Sequence, residues 1–187
     1  MSGHNKWSQI QRQKGAADAK KSKVFSMFAR LITIESKKAG GNMSSPGLQA
    51  AISRAKAANM PKDGIERAVA KGISKDAGDM EQVAYEFYGP GGVAIIVSAL
   101  TDNKNRTTQE IKHLISKNGF ELGTPGSAAW AFSKTSDGYS PNEPLMDVSG
   151  DDEEKLGQIL QALDDHDDVQ DIFTNARGYE TSRDEGE

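Results

Sequence analysis

Val83-Ala84-Tyr85-Glu86-Phe87-Tyr88, then Gly89-Pro90-Gly91-Gly92, then Val93-Ala94-Ile95-Ile96-Val97-Ser98-Ala99-Leu100 divides the chain into two textures. Two runs rich in β-branched and aromatic residues flank a glycine–proline turn, a pattern that predicts a β-hairpin. Upstream the periodicity is helical. From Lys14 to Lys38 there is no proline and no glycine after Gly15, and Val24, Phe25, Phe28, Leu31, Ile32 and Ile34 form the apolar stripe of an amphipathic helix. Gly40-Gly41 ends it. Pro46, behind Ser44-Ser45, opens a second helix to Asn59, and Pro61 a third that stops at Gly72.

Downstream, helical spacing returns over Thr107 to Asn118 and over Asp151 to Leu163, where acidic residues occupy the first turn and suit the helix dipole. Ser127 to Ser133, Pro144 to Ser149 and Val169 to Thr174 read as further strands. The predicted fold class is α+β: an all-helical N-terminal domain, then an antiparallel-sheet α/β sandwich of order β-β-α-β-β-α-β, akin to the split βαβ arrangement. The expected domains are a basic helical domain over 1–75, a linker over 76–80, an α+β domain over 81–178 and a frayed acidic tail over 179–187.

The same division separates charge. Up to Lys75 there are 15 Lys and Arg against 4 Asp and Glu; from Asp76 onward there are 8 against 23, and the overall −4 conceals the contrast. A concentration of cations is what a polyphosphate partner requires, because neutralising each phosphate releases condensed counterions. No apolar run approaches the roughly 20 residues of a membrane span, and the N-terminus MSGHNKWSQIQRQK lacks an apolar signal core. A cytoplasmic protein with no membrane partner is expected. Zero cysteines exclude disulfides, thiolate metal sites and thiol nucleophiles.

Charged helices are most often solvated faces. Here nine Lys and Arg within residues 1–38 meet only Asp18 and Glu35, too few for i,i+4 pairing. Lys6, Arg12, Lys14, Lys20, Lys21 and Lys23 are therefore the candidate phosphate contacts, and Trp7, in a segment too polar to bury it, a candidate stacking residue. Thr101-Asp102-Asn103-Lys104-Asn105-Arg106-Thr107 lies between a strand and a helix start. Lys104 and Arg106 there make an anion site as reasonable as simple turn and cap chemistry by Asp102, Asn103 and Asn105. Gly89-Pro90-Gly91-Gly92 matches no phosphate-binding loop. His4, His113 and His166 have no metal-ligand spacing, and Asp164-Asp165-His166-Asp167-Asp168 lacks the glycine and terminal glutamate of a calcium loop. No nucleophile–base set is visible. The residues thus predict no enzyme, no cofactor, no metal and no small-molecule substrate.

Six segments in order carry a resemblance: Gly3-His4-Asn5-Lys6-Trp7; Asn59-Met60-Pro61-Lys62-Asp63 with Ile65-Glu66-Arg67-Ala68; Tyr88-Gly89-Pro90-Gly91-Gly92; Leu100-Thr101-Asp102-Asn103-Lys104-Asn105-Arg106-Thr107; Leu122-Gly123-Thr124-Pro125-Gly126-Ser127; and Asp167-Asp168-Val169-Gln170 with Thr174-Asn175. Together they resemble the YebC/PmpR family, whose mitochondrial relatives activate translation of cytochrome c oxidase subunit I. The resemblance implies a non-enzymatic regulator of gene expression, described in bacteria as a DNA-binding transcriptional regulator or as a ribosome-associated translation factor. It also implies a departure. Family members carry an α/β domain inserted after the strand matching Ala129 to Lys134, whereas here the short linker Thr135 to Glu143 spans that gap, making this a short form. The expected partner is nucleic acid, with ribosomal RNA slightly favoured over duplex DNA because no base-reading helix-turn-helix is evident. An adaptor whose acidic helix, Asp151 to Asp168, docks a basic partner such as a ribosomal protein is the further alternative.

Overall fold

The computed structural model describes Lys6 and residues 17–74, 79–136 and 138–181, the side chains of 17–20 lying outside that description. Its described residues form two compact units. One lies within Ala16–Met80; the other comprises Lys6 and those within Glu81–Glu187.

The first unit is three helices, α1 (Ala17–Lys38), α2 (Pro46–Ala57) and α3 (Lys62–Ile73). Their apolar stripes meet in a core of Ile32, Leu48, Ile52, Ala55, Met60 and Ile65, with Phe25 and Phe28 packed against it. Small residues let α1 and α3 approach closely. Thr33 Oγ1 donates to the Ala68 carbonyl (3.2 Å) and Ser36 Oγ to the Val69 carbonyl (2.8 Å), and Gly72 faces the Thr33 carbonyl. Proline at the first position sets the start of α2, because Ser45 occupies the cap position without a side-chain cap bond.

Two of these helices close in the same way. At the end of α1 the Gly41 N–H reaches the Ser36 carbonyl (2.9 Å) across Gly40, whose φ is 57°. At the end of α2 the Met60 N–H reaches the Ala55 carbonyl (2.9 Å) across Asn59, at φ 60°. This is the Schellman closure, with asparagine taking the left-handed position that glycine usually fills. Met60, buried beyond it, supplies the accompanying apolar contact.

The second unit is mixed. β1 (Glu81–Tyr88) and β2 (Ala94–Thr101) pair antiparallel from Glu81 opposite Thr101 to Tyr88 opposite Ala94, and β5 (Val169–Thr174) pairs antiparallel with the other edge of β2. The sheet order is β1-β2-β5. α4 (Lys104–Lys117) and α5 (Asp151–Asp164) cover one face, where Tyr85, Phe87, Ile95 and Val97 meet Ile111, Ile115, Leu156 and Leu160. A separate hairpin, β3 (Phe132–Thr135) with β4 (Gly138–Pro141), covers the other, where Phe132 and Tyr139 meet Ile96 and Phe173. Every residue of β2 is therefore buried, which is why its sequence is a near-continuous apolar run, broken by Ser98 and ended by Thr101, rather than an alternation.

Four local expectations are corrected. Ser127 to Ser133 is not a strand: it contains a 3₁₀ turn at Ala129–Ala131, and pairing begins only at Phe132. The buried Glu86 carboxylate takes the amide hydrogens of Gly126, Ala128 and Ala129, each at 2.8 Å, so those three are not available to a ladder. Pro144 to Ser149 contributes only an isolated parallel bridge, Met146 to Ala176, whereas the linker Thr135 to Glu143 contains β4. The helix expected from Thr107 starts at Lys104, because Asn103 Oδ1 accepts from the Arg106 N–H (3.1 Å) as its N-cap. Residues 179–181, placed in a frayed tail, are ordered: Tyr179 is buried, and the Glu180 carbonyl accepts from the Thr174 N–H (3.1 Å).

Candidate nucleic-acid interface

Cations dominate the helical unit. Residues 17–74 hold eleven Lys and Arg against four Asp and Glu. Lys38 pairs with Glu35 (2.8 Å), Lys62 with Glu66 (3.6 Å) and Lys37 with Asp79. Among the described residues, Lys21, Lys56 and Lys71 are exposed and take part in no ion pair. The helix period explains their exposure, since Ile52 and Ala55 on α2 and Ala68 and Gly72 on α3 turn inward. Of the residues singled out in the sequence, Lys21 belongs to this exposed set and Lys23 is half-buried. Trp7, Arg12, Lys14 and the Lys20 side chain lie outside the described residues. Lys56 and Lys71 lie outside the densest charge run of the sequence; their signal there is the absence of an acid four residues away.

Lys6 lies on the α+β unit. Its N–H donates to the Gly178 carbonyl (2.9 Å), its Nζ to Glu153 Oε1 (2.7 Å), and its ammonium lies 5.8 Å from the Tyr179 ring centroid. The Tyr179 hydroxyl donates to the same Glu153 oxygen (3.1 Å). The hydrogen bond from Lys6 holds the Glu153 carboxyl below its usual range. Burial, reinforced by the Glu153 carboxylate, pushes the Tyr179 phenol up to about 12.

Arg106 is surrounded by carboxylates. Its Nη2 donates to Asp168 Oδ2 (2.9 Å) and Asp102 Oδ1 (3.2 Å), and its Nε lies 3.9 Å from Glu110 Oε2. The hydrogen bond to Asp168 raises its pKa from the ordinary value. Of the two readings of this loop, the cap chemistry is what the geometry exhibits: Arg106 neutralises a buried acid. Lys104 is exposed at the start of α4. Glu110, His166 and Asp168 place three donor atoms within 4.8 Å of one another, a spacing open to a cation. Each is already matched, however. His166 Nδ1 accepts from the Asp168 N–H (3.1 Å), which directs its Nε2 proton to Glu110 (3.0 Å), and Asp168 Oδ2 takes Arg106 and the Thr107 hydroxyl (2.6 Å). A cation would have to displace Arg106 and reverse the imidazole tautomer.

The sequence reading also missed an aromatic surface on this unit. Trp130 is 70% exposed and Tyr88 40%. The indole N–H donates to the Tyr88 hydroxyl (2.6 Å), which donates to the Ser127 carbonyl (2.5 Å). The strand expected over Ser127 to Ser133 left the side of Trp130 open; the alanines around it, of which Ala128 and Ala131 are buried, were the signal that the inward positions are small.

Comparison with known proteins accords with this architecture. Residues 5–75 match the TACO1/YebC protein N-terminal domain, and residues 80–137 match the TACO1/YebC second and third domain. The chain is 37% identical over 236 aligned positions to a probable transcriptional regulatory protein of Fervidobacterium nodosum, covering 94% of this chain and 93% of the relative. It is 44% identical over 195 positions to one of Desulfatibacillum aliphaticivorans, covering 97% and 78%. The crystal structure of a conserved hypothetical protein from Aquifex aeolicus superposes with a TM-score of 0.77 at 27% identity, over 88% of this chain and 93% of that one. The Fervidobacterium alignment is longer than the 187 residues of this chain, so the relative carries internal residues with no counterpart here. The second match ends at residue 137, between β3 and β4 in sequence, within the segment where the shortened linker was read. With its helical and α+β units each matched to a domain of the same proteins, this chain belongs to the TACO1/YebC family.

Proposed function

We propose that this chain is a non-enzymatic regulator of gene expression that binds nucleic acid through its helical unit. The observation that carries the reading is the set of exposed lysines, Lys21, Lys56 and Lys71, on a unit with eleven cations and four acids. A soluble helix surface ordinarily intersperses its signs, whereas an excess of one sign attracts a polyanion. Lys6 and Arg106 neutralise acids of the α+β unit and are secondary to this surface, while Arg12, Lys14, Lys20 and Trp7 stay candidates from the sequence. Shape-plus-phosphate recognition suits scattered lysines better than base readout, which favours ribosomal RNA and a role in cytoplasmic translation. The relatives named probable transcriptional regulatory proteins supply the specific ground for the second reading, duplex DNA.

Co-sedimentation with ribosomes over a salt series, with excess duplex DNA as competitor, tests both. The triple variant K21E/K56E/K71E is expected to weaken binding and to reduce the slope of log affinity against log salt by about 2–3, at roughly 0.7–0.9 per phosphate lost. An unchanged slope would remove these lysines from the interface. Retention on ribosomes despite DNA would support the translation reading, and transfer to DNA the transcriptional one.

A further inference from the structure

Two of the recurrent segments, Tyr88-Gly89-Pro90-Gly91-Gly92 and Leu122-Gly123-Thr124-Pro125-Gly126-Ser127, have no part in the lysine surface. They meet beneath Trp130. Ala128 and Ala131, three apart and therefore eclipsed on a 3₁₀ turn, are both buried, which leaves Trp130 between them directed outward. One hydrogen bond holds the ring, and others hold the loop that carries it. Tyr88 fixes the indole N–H, and Ser127 fixes Tyr88. Asn142 Nδ2 donates to the Trp130 carbonyl (3.2 Å), and the Asn142 N–H donates to that of Ala131 (2.8 Å). Below, the Glu86 carboxylate takes the three amides of Gly126, Ala128 and Ala129.

These bonds determine what the surface can recognise. The indole hydrogen and those three loop amides already have acceptors, so neither a phosphate nor a peptide carbonyl finds them available. What remains exposed is a flat π face whose indole edge is tied to Tyr88 before any ligand arrives, and that tie lowers the rotamer entropy that binding would otherwise lose. A proline-rich peptide seeks a groove between aromatic walls. Among the described residues Trp130 stacks on no other ring, so it presents one open plane rather than a groove. A single plane of this kind matches a single flat partner, and every nucleobase has such a face.

We infer that Trp130, braced by Tyr88, is a stacking platform for one unpaired nucleobase. The inference rests on the nucleic-acid reading above and adds an element separate from its lysines: a preference for single-stranded or looped nucleic acid over a fully paired duplex.

The chain has two tryptophans, so W7F, which keeps a ring at that position, makes Trp130 the only indole emitter. In this background a dodecamer of oligoadenylate RNA is expected to quench Trp130 fluorescence, and an abasic oligomer of equal length to leave it unchanged. Adding W130A should weaken the dodecamer, followed by anisotropy of a labelled strand, by roughly 5- to 150-fold, the range one base–aromatic stack commands, and W130F should restore most of the loss. Equal quenching by the abasic strand, or W130A binding as tightly as its parent, would overturn the platform while the measured RNA binding upheld the broader reading. Failure of RNA, ribosomes and duplex DNA alike to bind the parent would overturn both. Quenching by an oligoproline peptide but not by RNA would replace the nucleobase with a peptide.

Discussion

At the scale of single residues, the hydrogen-bond partners of buried acids explain what their neighbours do. Asp168 has a side chain only 5% exposed and accepts from Arg106 and from the Thr107 hydroxyl. Replacing it with alanine deletes a buried carboxylate that two donors share, leaving the Thr107 hydroxyl to Thr101 Oγ1 and the Asn103 carbonyl and Arg106 to its exposed acids. Asp168→Ala is expected to destabilise the α+β unit by about 2 kcal/mol in urea unfolding. Asp102→Ala, which removes the exposed member of the same cluster, is expected to change the midpoint little. The resulting order, buried acid above exposed acid, checks the assignment of Arg106 as a neutralising group. Glu86 illustrates the same logic without a cation, since three backbone amides suffice to hold its carboxylate.

At the scale of elements, two glycines of α3 separate close packing from mere conformational freedom. A Cβ on Gly72 would lie 2.5 Å from the Thr33 carbonyl oxygen and 2.7 Å from Ser36 Cβ, whereas one on Gly64 would meet only the terminal methyl of Met60 at 3.1 Å. Gly72→Ala is expected to destabilise the helical unit by about 1–3 kcal/mol through overpacking. Gly64→Ala is expected to stabilise it by about 0.5–1 kcal/mol through lowered chain entropy. Thermal unfolding of the two variants should show shifts of opposite sign. The helices and the β1–β2 hairpin were legible in the sequence because their signals are local: an apolar stripe, a proline at a helix start, glycines in a turn. Ser127 to Ser133 was misread because what shapes it is Glu86, about forty residues away in sequence. The start of α4 was misplaced by three residues because Asn103 suits a turn and a cap equally. Lys6 read as unpaired because its acid, Glu153, lies 147 residues off. Trp130 was not singled out, because the 3₁₀ turn that directs it outward depends on the same distant Glu86.

At the scale of the molecule, the α+β unit gathers residues that lie far apart in sequence. Lys6, Glu153, Gly178 and Tyr179 form one cluster in which a buried phenol stays protonated beside a carboxylate. A folded-state pKa raised from 10.0 to about 12 favours the native state fully below pH 10, and that contribution is lost as pH rises toward 12. Glu153, held low, contributes in the opposite direction, above about 4.5 and progressively less as pH falls below it. The urea midpoint is therefore expected to fall between pH 10 and 12, and Tyr179→Phe to flatten that fall; an identical alkaline profile in the variant would refute the assignment. The wholly buried β2 has a further consequence, during synthesis. Ala94 to Leu100 carries no charge and no proline, and one of its edges awaits β5, which begins at Val169. The nascent chain must extend by roughly 70 residues before that edge is paired, about 4–14 s at ordinary elongation rates. For that interval an apolar strand with an open edge is present beside neighbouring nascent chains, the form most ready to join a foreign sheet. The speed at which the chain is translated through residues 101–174 thus bears directly on how much of it reaches the native state.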